Sequence, residues 1–229
     1  MNDLSLTLTP VAILRTPFVE KFGVPRQSGL IPEAEGRVEF TSRFSAPEFV
    51  RGIEAFSHLW LVTGFHENPP WTGAATVRPP RLGGNERVGV FATRSPNRPN
   101  GLGLSLVRLL GVEADGALRV AGVDSVDGTP VYDIKPYLPW CEAHPDATAG
   151  WVPDAPFVRD ESAVVIPSTI TEAVGEGTAR LLRQMLRLNL QPAYQNEAAR
   201  EYGMSIAGWN IIWRALPDNA VEVIEATRL

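Results

Sequence analysis

The residues Thr93-Arg94-Ser95-Pro96-Asn97-Arg98-Pro99-Asn100 lie between two apolar segments and carry the densest polar chemistry in the chain. Two guanidinium groups, hydroxyl and amide donors and two stiffening prolines suit an anionic or nucleotide-like ligand; the plain alternative is a proline-stiffened crossover. A second group, Asp133-Ile134-Lys135-Pro136, ends an apolar run and contains one of the only two lysines, Lys21 and Lys135. Asp133 and Lys135 at i and i+2 project to the same side of a strand, where they form a structural ion pair or hold one another ready for a ligand. His66-Glu67 follows another apolar run, and a lone histidine there is either a hydrogen-bonded core residue or a ligand contact.

Other chemistries are excluded by spacing. Gly101-Leu102-Gly103-Leu104-Ser105-Leu106 starts like a dinucleotide fingerprint, but its sixth position is Leu and a strand-like run follows. Neither lysine follows a glycine, so no Walker-type phosphate loop is present. His66-Glu67 lacks the second histidine of a zincin helix, and Gly103-Leu104-Ser105 lacks the second glycine of a nucleophile elbow. The three histidines and single Cys141 supply no paired metal-ligand motif and no internal disulfide, which fits a reduced, cytoplasmic setting. No secretory h-region is visible, nor any apolar run near the roughly 20 residues that span a bilayer.

The net charge of −5 argues against a nucleic-acid partner until its distribution is considered. Between Arg78 and Arg108 six arginines face the single Glu86, so one basic patch can sit on an acidic body. Some of these arginines can equally pair with local carboxylates or pack on aromatic faces.

Apolar, β-branched segments at Ser5 to Leu14, Arg37 to Phe44, His58 to Phe65, Arg87 to Ala92, Leu102 to Val112, Ala117 to Val123 and Pro130 to Ile134 predict seven short strands. Asp115-Gly116 between two apolar runs marks the clearest hairpin, and Pro47 to Phe56 predicts a short helix. Frequent Gly and Pro breaks favour a closed or half-closed barrel over a doubly wound sheet. The pattern divides the chain into residues 1–139, a proline-rich linker 140–157 and a small α+β unit 158–229. In that unit Thr169 to Asn189 predicts a helix capped by Thr169 or Thr171, and Ser205 to Ala215 pairs with Ala220 to Ala226 as a hairpin. The fold class is therefore mainly β, a small barrel followed by a small α/β C-terminal domain.

Five ordered segments, Glu20 to Gln27, Arg51 to Trp60, Thr76 to Asn85, Gly89 to Arg108 and Asp127 to Pro139, resemble the TsaA/TrmO family, with echoes at Gln191 to Tyr194 and Trp209 to Trp213. The resemblance implies a small β-barrel binding S-adenosylmethionine (AdoMet) and methylating N6 of threonylcarbamoyl-adenosine beside the anticodon of tRNA; a homodimer is expected, since small barrels often complete ligand sites across a subunit interface. It places cofactor contacts on Pro25, Arg26, Gln27, His66, Glu67, Arg94, Leu104, Asp133, Ile134, Lys135 and Pro136. Physically, Arg26 or Arg94 suits the methionine carboxylate, Gln27 the adenine edge, and Glu67 or Asp133 the ammonium or ribose. Asp133, Glu67 and His66 are the candidates for a base, if one is used. Arg98 or Arg78 would meet the threonyl carboxylate, while Arg81 and the remaining arginines meet RNA and Tyr194, Trp209 and Trp213 offer stacking surfaces. Two departures stand out: Gly101 replaces a usual proline, loosening the loop, and Gln195 replaces a common arginine. The competing readings are a silent AdoMet- or RNA-binding module, or a methyltransferase with another acceptor.

Overall fold

The computed structural model describes residues 5–82, 84–152, 158–188 and 200–229. Strands β1 (Ala12–Arg15), β2 (Glu35–Phe40), β3 (His58–Gly64), β6 (Leu102–Val112), β7 (Leu118–Ala121) and β8 (Thr129–Pro136) close into an antiparallel barrel of order β1-β2-β7-β6-β3-β8. Strands β4 (Thr76–Val77) and β5 (Val88–Gly89) form a separate two-residue ladder. Alternation builds the barrel core: β3 buries Leu59, Leu61 and Thr63, β6 buries Ser105 and Val107, and β7 and β8 add Leu118, Val120 and Val131. Closure leaves no free edge and places both ends of β3 and β6 in fixed register, Gly64 opposite Leu102 and His58 opposite Arg108.

The predicted β6–β7 hairpin is present, turning at Asp115-Gly116. The expected strand over Arg87 to Ala92 is not: only Val88 and Gly89 pair, and Val90–Ala92 closes a 3-10 turn because Thr93 N bonds back to Val90 O at 3.2 Å. The short helix expected over Pro47 to Phe56 is likewise two 3-10 turns, Pro47–Val50 and Ile53–Ala55, separated by Gly52 at φ 84°.

After the short α1 (Pro139–Glu142), a second layer forms from β9 (Val164–Val165), α2 (Ser168–Val174), α3 (Glu176–Arg187), β10 (Glu201–Ile206), β11 (Trp209–Ala215) and β12 (Val221–Arg228). Its sheet order is β10-β11-β12-β9, with β9 parallel to β12. The single helix predicted over Thr169 to Asn189 breaks at Gly175, whose backbone (φ 83°, ψ 153°) is not helical; α2 is preceded by Pro167, with no side-chain cap from Thr169 or Thr171. The strand predicted over Ser205 to Ala215 is two strands, because Ala207 and Gly208 at φ 49° and 77° make a tight reversal. Trp213, one of the aromatics considered for RNA stacking, is 1% exposed and stacks on Tyr202 and Phe22, while Trp209 is half-buried beneath the Arg228 guanidinium.

The two layers are joined through the β1–β2 connection. Phe18 is buried and bridges Ile206, Ala207 N donates to Pro17 O at 2.8 Å, and Ser205 N donates to Glu20 Oε1 at 2.6 Å. The same segment is tied to the barrel by Asp127 N to Phe18 O (2.7 Å) and Gly29 N to Gly122 O (2.9 Å).

Candidate functional site

Four chain segments converge at the end of the barrel where β3 finishes and β6 begins, enclosing a cleft of about 850 Å³. The β1–β2 connection supplies Pro25, Arg26 and Gln27, the β3 exit supplies Phe65, His66 and Glu67, the loop after β5 supplies Arg94 and Arg98, and β6 supplies Gly103, Leu104 and Ser105. The turn after β7 adds Asp124. Seven of the residues to which the family resemblance assigns cofactor contacts thus meet in one cavity, although residues 25 and 104 are far apart in sequence.

The loop is held by its own polar groups. Thr93 Oγ1 donates to Val90 O (2.8 Å) and accepts from Ser95 N (3.3 Å), and Arg98 Nη1 donates to Thr93 O (3.1 Å). Arg94 donates to Gln27 Oε1, joining the loop to the β1–β2 connection. Gly101 adopts φ 58°, next to Asn100 at φ 64°, and its carbonyl accepts from Phe65 N at 2.8 Å. That backbone is closed to proline, whose φ is fixed near −65°, so the glycine here serves a left-handed turn docked on β3.

Lys21 lies at the rim, donating to Glu67 O (2.7 Å) and Asn68 Oδ1 (3.2 Å). Lys21, Arg26, Arg94 and Arg98 therefore make the cleft cationic, with Glu67 and Asp124 as its carboxylates. Glu67 and His66 are exposed. Asp124 is partly buried; Ser105 Oγ donates to its Oδ1 at 2.6 Å, and burial pushes its carboxyl above the ordinary carboxylate value. Asp124 and Ser105 were missed by sequence reasoning, since Ser105 sits inside an apolar run and Asp124 follows one. The detectable signal was topological: both occupy the barrel end that bears the polar loop.

Asp133, Ile134, Lys135 and Pro136 do not line the cleft. They lie along β8 opposite β3, with Val62 paired to Asp133 and Trp60 to Lys135. Asp133 and Lys135 form an exposed ion pair at 3.1 Å, and Asp133 Oδ1 also accepts from Ile134 N at 2.9 Å. Alternation with the buried Leu59 and Leu61 puts Trp60 and Val62 on the outer barrel face with Leu104 and Leu106, and Trp60 also reaches the cleft. Arg78 is exposed and lines no part of the cleft. The side chain of Arg81, and Tyr194 and Gln195 entirely, lie outside the described residues.

A second recess of about 710 Å³ adjoins the first and shares Phe65, His66, Arg98 and Asn100 with it. Its remaining wall includes Leu6, Leu8, Trp71, Asn97 and Tyr132. Among the described residues no group of three His, Cys, Asp or Glu is placed to hold a metal, and no helix is long and apolar enough to cross a membrane.

A model of the tRNA-methyltransferase O N-terminal domain matches residues 13–143, and one of the TrmO C-terminal domain matches residues 163–229. The chain is 40% identical over 221 residues to the tRNA (adenine(37)-N6)-methyltransferase of Escherichia coli K12, covering 92% of this chain and 93% of that one. It is also 40% identical to a putative S-adenosylmethionine-dependent methyltransferase of Pseudomonas aeruginosa, over 96% of each. A crystal structure of TrmO from Pseudomonas aeruginosa superposes with a TM-score of 0.78 at 32% identity, covering 98% of this chain and 100% of that chain.

Proposed function

The chain belongs to the tRNA-methyltransferase O family, and on that premise we propose that it is an AdoMet-dependent tRNA methyltransferase acting on N6 of threonylcarbamoyl-adenosine at position 37. The observation that carries the site assignment is the meeting of Arg26, Gln27, His66, Arg94 and Leu104 in one cationic cleft that opens onto an aromatic recess. The cleft fits AdoMet by donor set: guanidinium groups for the carboxylate, an amide for the adenine edge, apolar Leu104 and Phe65 for the ring faces, and a carboxylate for positive charge. When bound, AdoMet supplies a methyl group carried on a cationic sulfur.

The protein's part is chiefly positioning. A displacement at carbon gains most from alignment in a water-poor pocket, and the rigid ends of β3 and β6 provide that frame. Arg94, bonded to Gln27, fixes one wall of the cleft; Arg98, anchored to Thr93, stands between cleft and recess. The recess takes the acceptor nucleoside, with Trp71 and Tyr132 as stacking surfaces and Arg98 for the threonyl carboxylate, while the exposed Arg78, outside both cavities, is left to the surrounding RNA. Arg81 and Tyr194 remain assigned to the surrounding RNA. His66 and Glu67, at the rim, are the base candidates within this cleft, whereas Asp133 reaches it only from elsewhere.

That placement supports a homodimer. Leu104 is 59% exposed on the outer face of β6-β3-β8, beside Trp60 and Val62, and Asp133 and Lys135 lie on the same face. A second copy packed there would carry its own Asp133-Lys135 pair toward the cleft and complete it. Cys141 is free and exposed, in keeping with a reducing compartment, and the reaction is assigned to the cytoplasm. Incubation with AdoMet and threonylcarbamoylated tRNA, followed by nucleoside mass spectrometry, should show the mass gain of one methyl group on that nucleoside. Gain on a different nucleoside would reassign the acceptor.

A further inference from the structure

Among the described carboxylates, the one best placed at the cofactor cleft is not one that sequence reasoning selected. Glu67 stands exposed at the rim, and Asp133 is already engaged by Lys135 on the outer barrel surface. Asp124 lies in the cleft wall, with its Oδ1 held by Ser105 Oγ at 2.6 Å. Ser28 immediately follows Gln27, and its Oγ accepts from Leu106 N at 3.1 Å, tying the segment that carries Gln27 to the strand that carries Leu104 and Ser105. Asp124 thus lines the same cleft as the residues assigned above to AdoMet, and it does not line the acceptor recess.

We infer that Asp124 is the anion that receives the positive charge of AdoMet, with Ser105 holding its carboxylate in place. The inference rests on the cofactor assignment above and deepens it. A carboxylate at the wall of a cleft costs desolvation, and among the described residues no cation is bonded to it to offset that cost: the Ser105 hydroxyl and the Ser28 backbone hydrogen-bond it, with Arg94 acting only through space. A cationic ligand supplies the missing partner. AdoMet carries two such groups, a sulfonium and an ammonium, and either one satisfies the chemistry.

The same geometry links binding to protons. Burial raises the Asp124 carboxyl, whereas Ser105 and the charge of Arg94 lower it. A bound cation stabilises the charged form, so binding expels a proton where Asp124 is still partly protonated, and affinity falls as pH drops through its raised value. Other charged groups facing the cleft are Lys21, Arg26, Arg98, His66 and Glu67, and Asp127 on the same turn is engaged with Arg15 and Thr16 N. The proton belonging to Asp124 is therefore identified by difference between wild type and a variant.

The test is calorimetry on the full chain with AdoMet and with S-adenosylhomocysteine, which keeps the ammonium and lacks the sulfonium, in buffers of different ionisation enthalpy. Asp124→Asn should bind AdoMet about 10- to 100-fold more weakly, the span of one charge-assisted contact, and should lose the proton release at mildly acidic pH. A loss confined to AdoMet assigns the contact to the sulfonium, and a loss shared by both ligands assigns it to the ammonium. If Asp124→Asn does not fold, Ser105→Ala carries the test: without its donor, the pH midpoint of AdoMet affinity should move upward. Wild-type binding with unchanged affinity, unchanged proton release in Asp124→Asn, or an unmoved midpoint in Ser105→Ala would overturn the role of Asp124 alone. Failure of wild type to bind AdoMet removes the cofactor assignment itself.

Discussion

Arg94 and Gln27, 67 residues apart in sequence, are joined by a hydrogen bond from the guanidinium Nη1 to the amide Oε1. The loop after β5 and the β1–β2 connection are thereby one wall of the cleft, and a ligand that recruits either side chain acts on both.

Arg94→Ala should therefore weaken AdoMet by about 10-fold or more, the scale of a lost charge-assisted contact. Because Gln27 loses its partner in the same variant, adding Gln27→Ala should cost less than it does alone. Calorimetry on the two single variants and the double variant measures that coupling, and full additivity would contradict a shared wall.

Arg98→Ala is expected to leave AdoMet affinity within about twofold and to weaken tRNA, reducing the salt slope of RNA binding by about one. Its Nη1 is occupied by Thr93 O, and the residue lines both cavities. Filter binding across a salt series would expose the opposite result, a loss of cofactor with RNA untouched.

Leu104→Glu should convert the proposed homodimer to monomer. A buried unpaired carboxylate on both halves of a symmetric interface is strongly disfavoured, whereas on an exposed monomer face it costs little. Light scattering during size-exclusion chromatography gives the mass directly, and a variant that stays dimeric would place the interface on another face.

Gly103→Ala should destabilise the fold by about 1–3 kcal/mol through overpacking. A Cβ there would stand 2.6 Å from Thr63 Oγ1, a buried group, and 3.2 Å from the Phe65 ring, so β3 must shift where it lines the cleft. Gly89→Ala is the matched control: its φ is −55° and no atom lies within 4 Å of the added Cβ. Thermal unfolding should separate the two variants clearly.

Much of this arrangement was legible in the sequence because barrel strands are short and half-buried. Alternation along His58 to Gly64 and the Asp115-Gly116 turn located β3, β6 and β7. The errors have local causes. Val90-Phe91-Ala92 is apolar and strand-like, yet Thr93 turns the backbone inward through Val90 O. The reversal after Ile206 uses Ala-Gly in place of the usual Asn-Gly or Asp-Gly, so nothing polar interrupts the apolar pattern. Asp124 was invisible for another reason: its importance comes from Ser105 on the neighbouring strand β6 and from the loops gathered at that barrel end, which spacing along one chain does not report.

The segment 17–29 carries Pro25, Arg26 and Gln27 while being bonded on one side to Gly122 and Asp127 and on the other to Ser205, Ile206 and Ala207. It is a laminated layer, not a surface loop, with Gly23 packed against Met204 and Met185 beneath it. Cutting the chain after residue 158 would strip the outer laminate and leave Phe18 facing water. The C-terminal sheet thus works as the backing plate of the cleft wall, and substitutions in β10 should register as altered AdoMet binding though no residue of that strand lines the cleft.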